Sequence, residues 1–226
     1  MVPEQAWRAL VERGRRAFYR RGSVIYRQGE DASSVVLLED GTVKVLQVTE
    51  GGSTLTLTLR GPGEVLGEMG VILDRPRSAT LKAVSHCSGS VLGARVFLAS
   101  LDRLDLVPAV YRLAVDRMQH VEQLRTDLVS LPPAARVARV IQHLALEVGR
   151  LTADGILVEL GMSREELAAM AAVGRSTAAP ALKQFHEQGV LDLARTRLVI
   201  RDMEALEGAA RAVDVDGPAT ADRPDT

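Results

Sequence analysis

Between Gly22 and Leu92, apolar and polar residues alternate with a period of two, broken by glycine-bearing turns. Thr54-Leu55-Thr56-Leu57-Thr58-Leu59 is the clearest run. Such alternation predicts a strand with one buried face. Glu50-Gly51-Gly52-Ser53 ahead of it reads as a hairpin turn, and Asp40-Gly41, Gly61-Pro62-Gly63 and Asp74-Arg75-Pro76 punctuate the rest. Many short strands divided this way predict an antiparallel barrel or roll. Before them, Pro3 to Arg16 reads as a short helix with Trp7, Leu10 and Val11 on one side. The basic run of Arg13, Arg15, Arg16, Arg20 and Arg21 reads as a solvated face.

From Pro108 to Leu131 the period becomes helical. Val110, Leu113, Arg117, Leu124, Leu128 and Leu131 fall on one stripe, and Val110, Arg117, Leu124 and Leu131 repeat every seven residues. That is the spacing of a coiled-coil seam, so the stripe predicts a second copy of the chain as partner. Packing against its own β domain is the competing reading. Leu131-Pro132-Pro133 breaks the helix and marks a hinge. Ala134 to Gly149 is a further helix. Ser163 with Glu166 forms a capping-box pattern, and Ala171-Ala172-Val173-Gly174 reads as a tight turn. Arg175 to Gln188 is then a second helix closed by Gly189, and Leu191 to Ile200 a hairpin. Two helices, a glycine-bearing turn and a hairpin make a winged helix-turn-helix. Beyond Leu206 the chain turns polar and acidic and reads as a disordered tail.

Composition narrows the function classes. The 226 residues carry a formal net charge of −1, so nucleic-acid binding must rest on a local patch. No apolar run approaches the roughly 20 residues that span a bilayer. The N-terminus lacks a charged-then-apolar signal pattern, so a cytoplasmic protein with no membrane partner is expected. The single cysteine, Cys87, excludes a disulfide framework and a Cys-rich metal site. His86, beside it, reads as an ordinary strand residue, and no metal is expected. The four histidines (His86, His120, His143 and His186) are scattered, and no nucleophile triad or Walker loop is present, so an enzyme is not expected.

The chemistry concentrates in Gly63 to Thr80, GEVLGEMGVILDRPRSAT. Gly67 lets the backbone approach a ligand and can open a short helix whose first N–H groups lack internal partners. Arg77 offers a fork of donors that matches phosphate, while the carboxylate of Glu68 suits a hydroxyl and repels an anion. Together they imply a ligand carrying both groups, a small sugar-phosphate. This segment resembles the phosphate-binding cassette of cyclic-nucleotide-binding domains. The chain from about Trp7 to Leu206 resembles the CRP/FNR family of bacterial transcription regulators. Gly22-Ser23-Val24-Ile25-Tyr26-Arg27-Gln28-Gly29-Glu30 and Leu38-Glu39-Asp40-Gly41-Thr42-Val43-Lys44-Val45 resemble the family's early strands and turns.

The resemblance implies an α+β chain of four parts. These are an antiparallel, jelly-roll-like β-roll over 1–107, a dimerisation helix over 108–131, a winged helix-turn-helix over 132–206 and a tail over 207–226. It implies a cyclic-nucleotide effector held by Gly67, Glu68, Met69, Arg77, Ser78 and Ala79. Arg77 and Ser78 would take the phosphate and Glu68 the ribose 2′-hydroxyl. Cyclic AMP is the first expectation and cyclic GMP stays open, because Val121 and Glu122 stand where the best-known member carries a Thr-Ser pair on adenine. Gln119, Gln123 or Thr126 are the available substitutes. Double-stranded DNA, a second copy and RNA polymerase are the implied partners.

For DNA the resemblance points to Arg164, Arg175, Ser176, Thr177, Lys183 and Arg195, with Arg197 also in the wing. Arg175 matches the family arginine that reads guanine, and Arg164 a phosphate contact. Two features weigh against ordinary operator binding. Residues 132–206 hold nine Arg/Lys and nine Asp/Glu. Pro180 falls inside the recognition helix, where proline costs about 3 kcal/mol. A late helix start, a kinked helix that still docks, or a sensing module that has lost sequence-specific binding are the three readings; the kept function is a cyclic-nucleotide-responsive regulator acting as a homodimer.

Overall fold

The computed structural model describes residues 3–211. Helix α1 (Glu4–Val11) is shorter than the predicted Pro3 to Arg16, because Arg15 and Arg16 already belong to strand β1 (Arg15–Tyr19). A three-residue hydrogen-bonded turn at Arg13 and Gly14 ends the helix, and a Cβ on Gly14 would lie 2.8 Å from that of Ser90.

The predicted roll is present as two antiparallel four-stranded sheets. One joins β1, β8 (Cys87–Gly93), β3 (Ser34–Asp40) and β6 (Val65–Leu66). The other joins β2 (Val24–Tyr26), β7 (Thr80–Ala83), β4 (Val43–Val48) and β5 (Thr54–Arg60). Strand β3 is buried on both faces, which is why Val35 to Leu38 is a continuous apolar run. Val36 and Leu38 pack between the sheets with Val43, Leu66 and Leu81. Val35 and Leu37 pack the other way, against Leu10 of α1 and Phe97 and Leu101 of α3 (Ala94–Arg103). Helix α3 has no counterpart in the sequence reading.

The alternating run over 54–59 forms the edge strand β5, yet its apolar face is only partly covered. Leu59 is fully buried, whereas Leu55 and Leu57 are 44% and 42% exposed. Its threonines are engaged instead. Thr56 donates to Glu166, and Thr58 lies 3.4 Å from His143 Nε2.

Helix α4 (Val107–Ser130) follows, and its stripe is oriented differently from the dimer seam predicted. Val110 packs on the α1–α3 cluster, Leu124 packs on the C-terminal core and Arg117 turns into the β-roll. The predicted seam is therefore mainly an intramolecular face. The exposed stripe is Tyr111, Val115, Met118, Val121 and Val129, with Glu122 and Arg125.

Pro132 and Pro133 separate α4 from α5 (Pro133–Val148), since the first cannot continue the helix and the second fits the opening turn of the next. A hairpin of β9 (Arg150–Thr152) and β10 (Gly155–Glu159), unforeseen in the sequence, joins β12 (Arg197–Ile200) and β11 (Leu191–Leu193) in one sheet. Between them lie α6 (Arg164–Met170) and α7 (Arg175–Glu187). Both bonds of the Ser163–Glu166 capping box are made. Gly174 precedes α7, and the bonds from Thr177 and Ala178 N–H to the Gly174 carbonyl fix its start, so the late-start reading of Pro180 is wrong. Helix α8 (Met203–Arg211) runs through the first residues of the expected tail, because Leu206 and Ala210 are buried against the C-terminal core. The remainder of that tail lies outside the described residues.

Candidate functional site

Strand β6 ends at Gly67, which takes a left-handed conformation (φ 80°) and leads into the five-residue helix α2 (Glu68–Ile72). A Cβ there would meet Arg77 Nη1 at 2.5 Å and the Tyr26 ring at 2.8 Å, so glycine is required on both counts. The loop after α2 returns Arg77 beneath this turn. Its backbone is clamped to the Gln28–Glu30 turn: Arg77 N–H donates to the Glu30 carbonyl at 2.8 Å, and Gly29 N–H to that of Arg77 at 2.9 Å.

The Arg77 side chain is 5% exposed. Its Nη1 donates to the Gly67 carbonyl and its Nη2 to the Ser34 carbonyl, each at 2.6 Å. The guanidinium stacks 3.7 Å over the Tyr26 ring, and Tyr26 Oη bonds Ser34 Oγ at 3.0 Å. Burial pushes the Tyr26 phenol pKa up, against the lowering effect of Ser34 and Arg77. Arg77 Nε is buried without a partner, and no carboxylate pairs with the guanidinium among the described residues. A buried cation without a counter-charge is costly. Here it sits on the wall of a cleft.

Gly67, Glu68, Met69, Arg77, Ser78 and Ala79 all line that cleft. The sequence placed them in one cassette; the structure brings them round one cavity. Three further residues were missed. Tyr26 is the aromatic floor under Arg77. Arg60 comes from the end of β5, and Arg117 from α4. Arg117 binds Glu68 through Nη1 and Glu64 through Nη2, the latter at 2.5 Å. Burial lowers its pKa, and Glu68 and Glu64 more than reverse that, holding it above the ordinary arginine value. The available signal was an arginine in an apolar helical stripe, downstream of two glutamates in a glycine-rich turn. Neither Glu64 nor Glu68 pairs with Arg77; Arg117 holds both.

Two of the three proposed substitutes for base contact are engaged elsewhere. Gln123 donates to Asp127 at 2.9 Å and Thr126 to the Glu122 carbonyl at 3.0 Å, while Gln119 is exposed. Cys87 is buried and donates to the Thr42 carbonyl at 3.4 Å, and burial raises its pKa. That makes it a packed, protonated thiol. No group of three metal-ligating side chains occurs among the described residues, and no described helix is long and apolar enough to cross a membrane.

In the C-terminal part, Arg175, Ser176, Thr177 and Lys183 are exposed on α7. Pro180 shares that outward side, while Ala178, Ala181, Leu182 and Phe185 are buried. The proline thus removes one solvent-side bond from the helix and leaves its packed face intact. Arg175 pairs with Glu165 at 3.1 Å and Lys183 with Glu187 at 3.4 Å, so both cations carry a local partner. Arg164 and Arg195 line a second cleft between the start of α6 and the wing turn, and Arg197 lies just beyond it.

The two parts are also locked together. Lys44, 8% exposed on β4, reaches Glu166 at 2.6 Å and the Gly161 carbonyl at 3.3 Å. Arg60 pairs with Glu147 of α5 at 2.5 Å.

A β-roll with a buried, unneutralised arginine, joined by a long helix to a winged helix-turn-helix, defines a ligand-binding module coupled to a DNA-binding one. The comparisons agree. The cyclic nucleotide-binding domain family matches residues 16–103 and the Crp-like helix-turn-helix domain residues 135–209. The "Cyclic AMP receptor protein" of Thermus thermophilus is 30% identical over 210 residues, 93% of this chain and 94% of that protein. Among solved structures, a CRP-family transcriptional regulator, also of Thermus thermophilus, is 27% identical with a TM-score of 0.69, over 87% of this chain and 97% of that one. FixK2 from Bradyrhizobium japonicum shares the fold at 21% identity and a TM-score of 0.72, over 88% and 98%. The chain belongs to the CRP/FNR family of transcription regulators; it is a DNA-binding regulator with a cyclic-nucleotide-binding domain, not an enzyme.

Proposed function

We propose that the chain acts as a homodimeric transcription regulator whose DNA binding is gated by a cyclic purine nucleotide in the Arg77 cleft. The carrying observation is the Arg77 guanidinium, buried without a carboxylate and with Nε unpartnered at the wall of a cleft. An anionic phosphodiester supplies the missing charge, and the unspent donors of Arg77 with the Ser78 hydroxyl match its oxygens. Glu68 retains lone pairs for a ribose hydroxyl beside its bond to Arg117. Cyclic AMP, named for the Thermus relative, is the reference ligand.

A second copy suits the exposed face of α4, where Tyr111, Val115, Met118 and Val129 fall on one side of the helix at spacings of four, three and eleven. Ligand that rearranges the Arg117–Glu68 contact biases α4, and through the Pro132 hinge the winged domain. Arg164, Arg175, Ser176, Thr177, Lys183 and Arg195 are the proposed DNA contacts. The exposed position of Pro180 favours retained DNA recognition over loss of it. Action in the cytoplasm and contact with RNA polymerase belong to the same reading.

A thermal-shift panel of cyclic nucleotides tests it. A ligand that binds only the folded state raises the melting temperature, by an amount that grows with its concentration. No shift with any cyclic nucleotide overturns the reading.

A further inference from the structure

We propose that Arg60 is the base-reading residue of the cleft and that it selects guanine over adenine. The inference rests on the cyclic-nucleotide reading and refines its ligand. Arg60 closes β5, whereas Arg77, Ser78 and Ala79 lead into β7, and β4 lies between these strands. Strands β5 and β7 are thus two strand spacings, roughly 10 Å, apart across the sheet. One cavity touches both. A nucleotide whose phosphate meets Arg77 therefore has its far end, the base, on the Arg60 side.

Much of the cavity wall is apolar. Val45, Val65, Leu66 and Leu81 line the same cavity and offer walls for a flat ring but no side-chain hydrogen bond. The cleft's own carboxylate, Glu68, is engaged by Arg117. Among the described lining residues, Arg60 is thus the side chain on the β5 side of the cavity that can read a base edge. Its side chain is 17% exposed and its Nη1 is paired with Glu147 at 2.5 Å, which leaves donors on the rest of the fork.

A guanidinium distinguishes the two purines by acceptor pattern. Guanine presents N7 and O6, two acceptors that match the fork. Adenine presents one acceptor and an amino donor, which would face a cation with no acceptor to receive it. Glu147 belongs to the last turn of α5. A base that draws on Arg60 thereby competes with an anchor of the winged domain, so base identity and domain position share one side chain.

Isothermal titration of the full-length chain with cyclic GMP and cyclic AMP tests this. The wild type is expected to favour cyclic GMP by about tenfold or more, the range for one bidentate arginine–guanine contact. Arg60→Leu should bring the two affinities together, mainly by weakening cyclic GMP. Arg60→Lys, which keeps the charge facing Glu147 but lacks the fork, should do the same and guards against misfolding of the leucine variant. Equal or tighter binding of cyclic AMP by the wild type, or a preference that survives in Arg60→Lys, overturns the assignment to Arg60 while leaving the nucleotide site standing. Binding of neither nucleotide overturns the site itself, and the base assignment with it.

Discussion

Arg117 of the long helix is ion-paired to Glu68 at the first position of α2, across 49 residues of sequence. Glu68 is 5% exposed, and Arg117 is the cation beside it. The same guanidinium holds Glu64. One arginine thus ties α4 to both glutamates of the cassette, and any ligand group that approaches Glu68 meets the helix through it.

Removing Arg117 leaves a buried carboxylate without its cation. Arg117→Met should destabilise the fold by about 3–5 kcal/mol, the usual loss when one partner of a buried pair is deleted. Chemical denaturation measures this. A double variant, Arg117→Met with Glu68→Gln, should recover part of the loss, because the orphaned charge is gone. Failure of the second substitution to rescue would show that the pair is not the source of the effect.

Arg77→Leu makes the opposite test at the same cleft. The leucine removes a buried cation that has no carboxylate, along with its bonds to the Gly67 and Ser34 carbonyls. Nucleotide affinity should fall at least a hundredfold, about 2.7 kcal/mol on the scale of charge-assisted bonds. Circular dichroism should remain that of a folded chain. Unchanged affinity by titration calorimetry would remove Arg77 from the phosphate site.

Much of this was legible in the sequence, and the limits have physical causes. The cassette could be read because a glycine turn, a carboxylate and a Pro-Arg-Ser run are contiguous, so local chemistry defines the cavity wall. Tyr26, Arg60 and Arg117 complete that cavity from three separate elements, and no local pattern announces them. The stripe on α4 reads as a dimer seam because Arg117 and Val110 obey a seven-residue repeat, yet both pack within their own chain. Periodicity reports that a face is covered, not by what. The β9–β10 hairpin is short, and β9 is exposed throughout, so it carries no alternation of buried and exposed positions to read.

The exposed side of α4 carries the dimer prediction. Met118 is 57% exposed and lies between Val115 and Val121. A glutamate at 118 would place like charges near the axis of a two-fold pair, beside Glu122. Met118→Glu should shift sedimentation from dimer to monomer at micromolar concentration while leaving the β-roll folded. Leu113→Glu, on the inward face, should instead unfold the N-terminal part. Dimers that persist in Met118→Glu would place the interface elsewhere.

Lys44 and Glu166 link the β-roll to the capping box of α6, and the link is pH-dependent. Burial alone raises the Glu166 pKa, but the bonds from Lys44, from the Ser163 backbone and from Thr56 outweigh it, so the folded pKa lies below the ordinary value. A depressed carboxylate pKa stabilises the fold above the unfolded pKa, about 4.3 for glutamate, and the contribution is lost as pH falls through the folded value. Glu166→Gln should therefore cost about 1 kcal/mol at pH 7, a value discounted for the partial exposure of Glu166. The difference from wild type should shrink towards zero below about pH 4. Denaturation at pH 7 and pH 3.5 checks this; a gap that is equal at both would show that charge plays no part.

Pro180 is the sixth residue of α7 and faces outward, so its cost is local to the helix. It lacks the N–H that would bond the Ser176 carbonyl, and its ring crowds the preceding turn. The buried face of Ala178, Ala181, Leu182 and Phe185 holds the helix in place despite this. Pro180→Ala restores the bond and touches none of that packing. It should stabilise the winged domain by about 1–3 kcal/mol, below or near the full cost of an interior proline because the surrounding structure has already adapted. In a chain of this size each kcal/mol moves the melting temperature by about 2–4 °C. Calorimetry of the wild type and variant measures the shift directly. If the transition does not rise, proline costs this helix nothing, and α7 must be distorted away from regular geometry at Ser176. In that case the spacing of Arg175, Thr177 and Lys183 along a major groove would differ from that of a straight recognition helix.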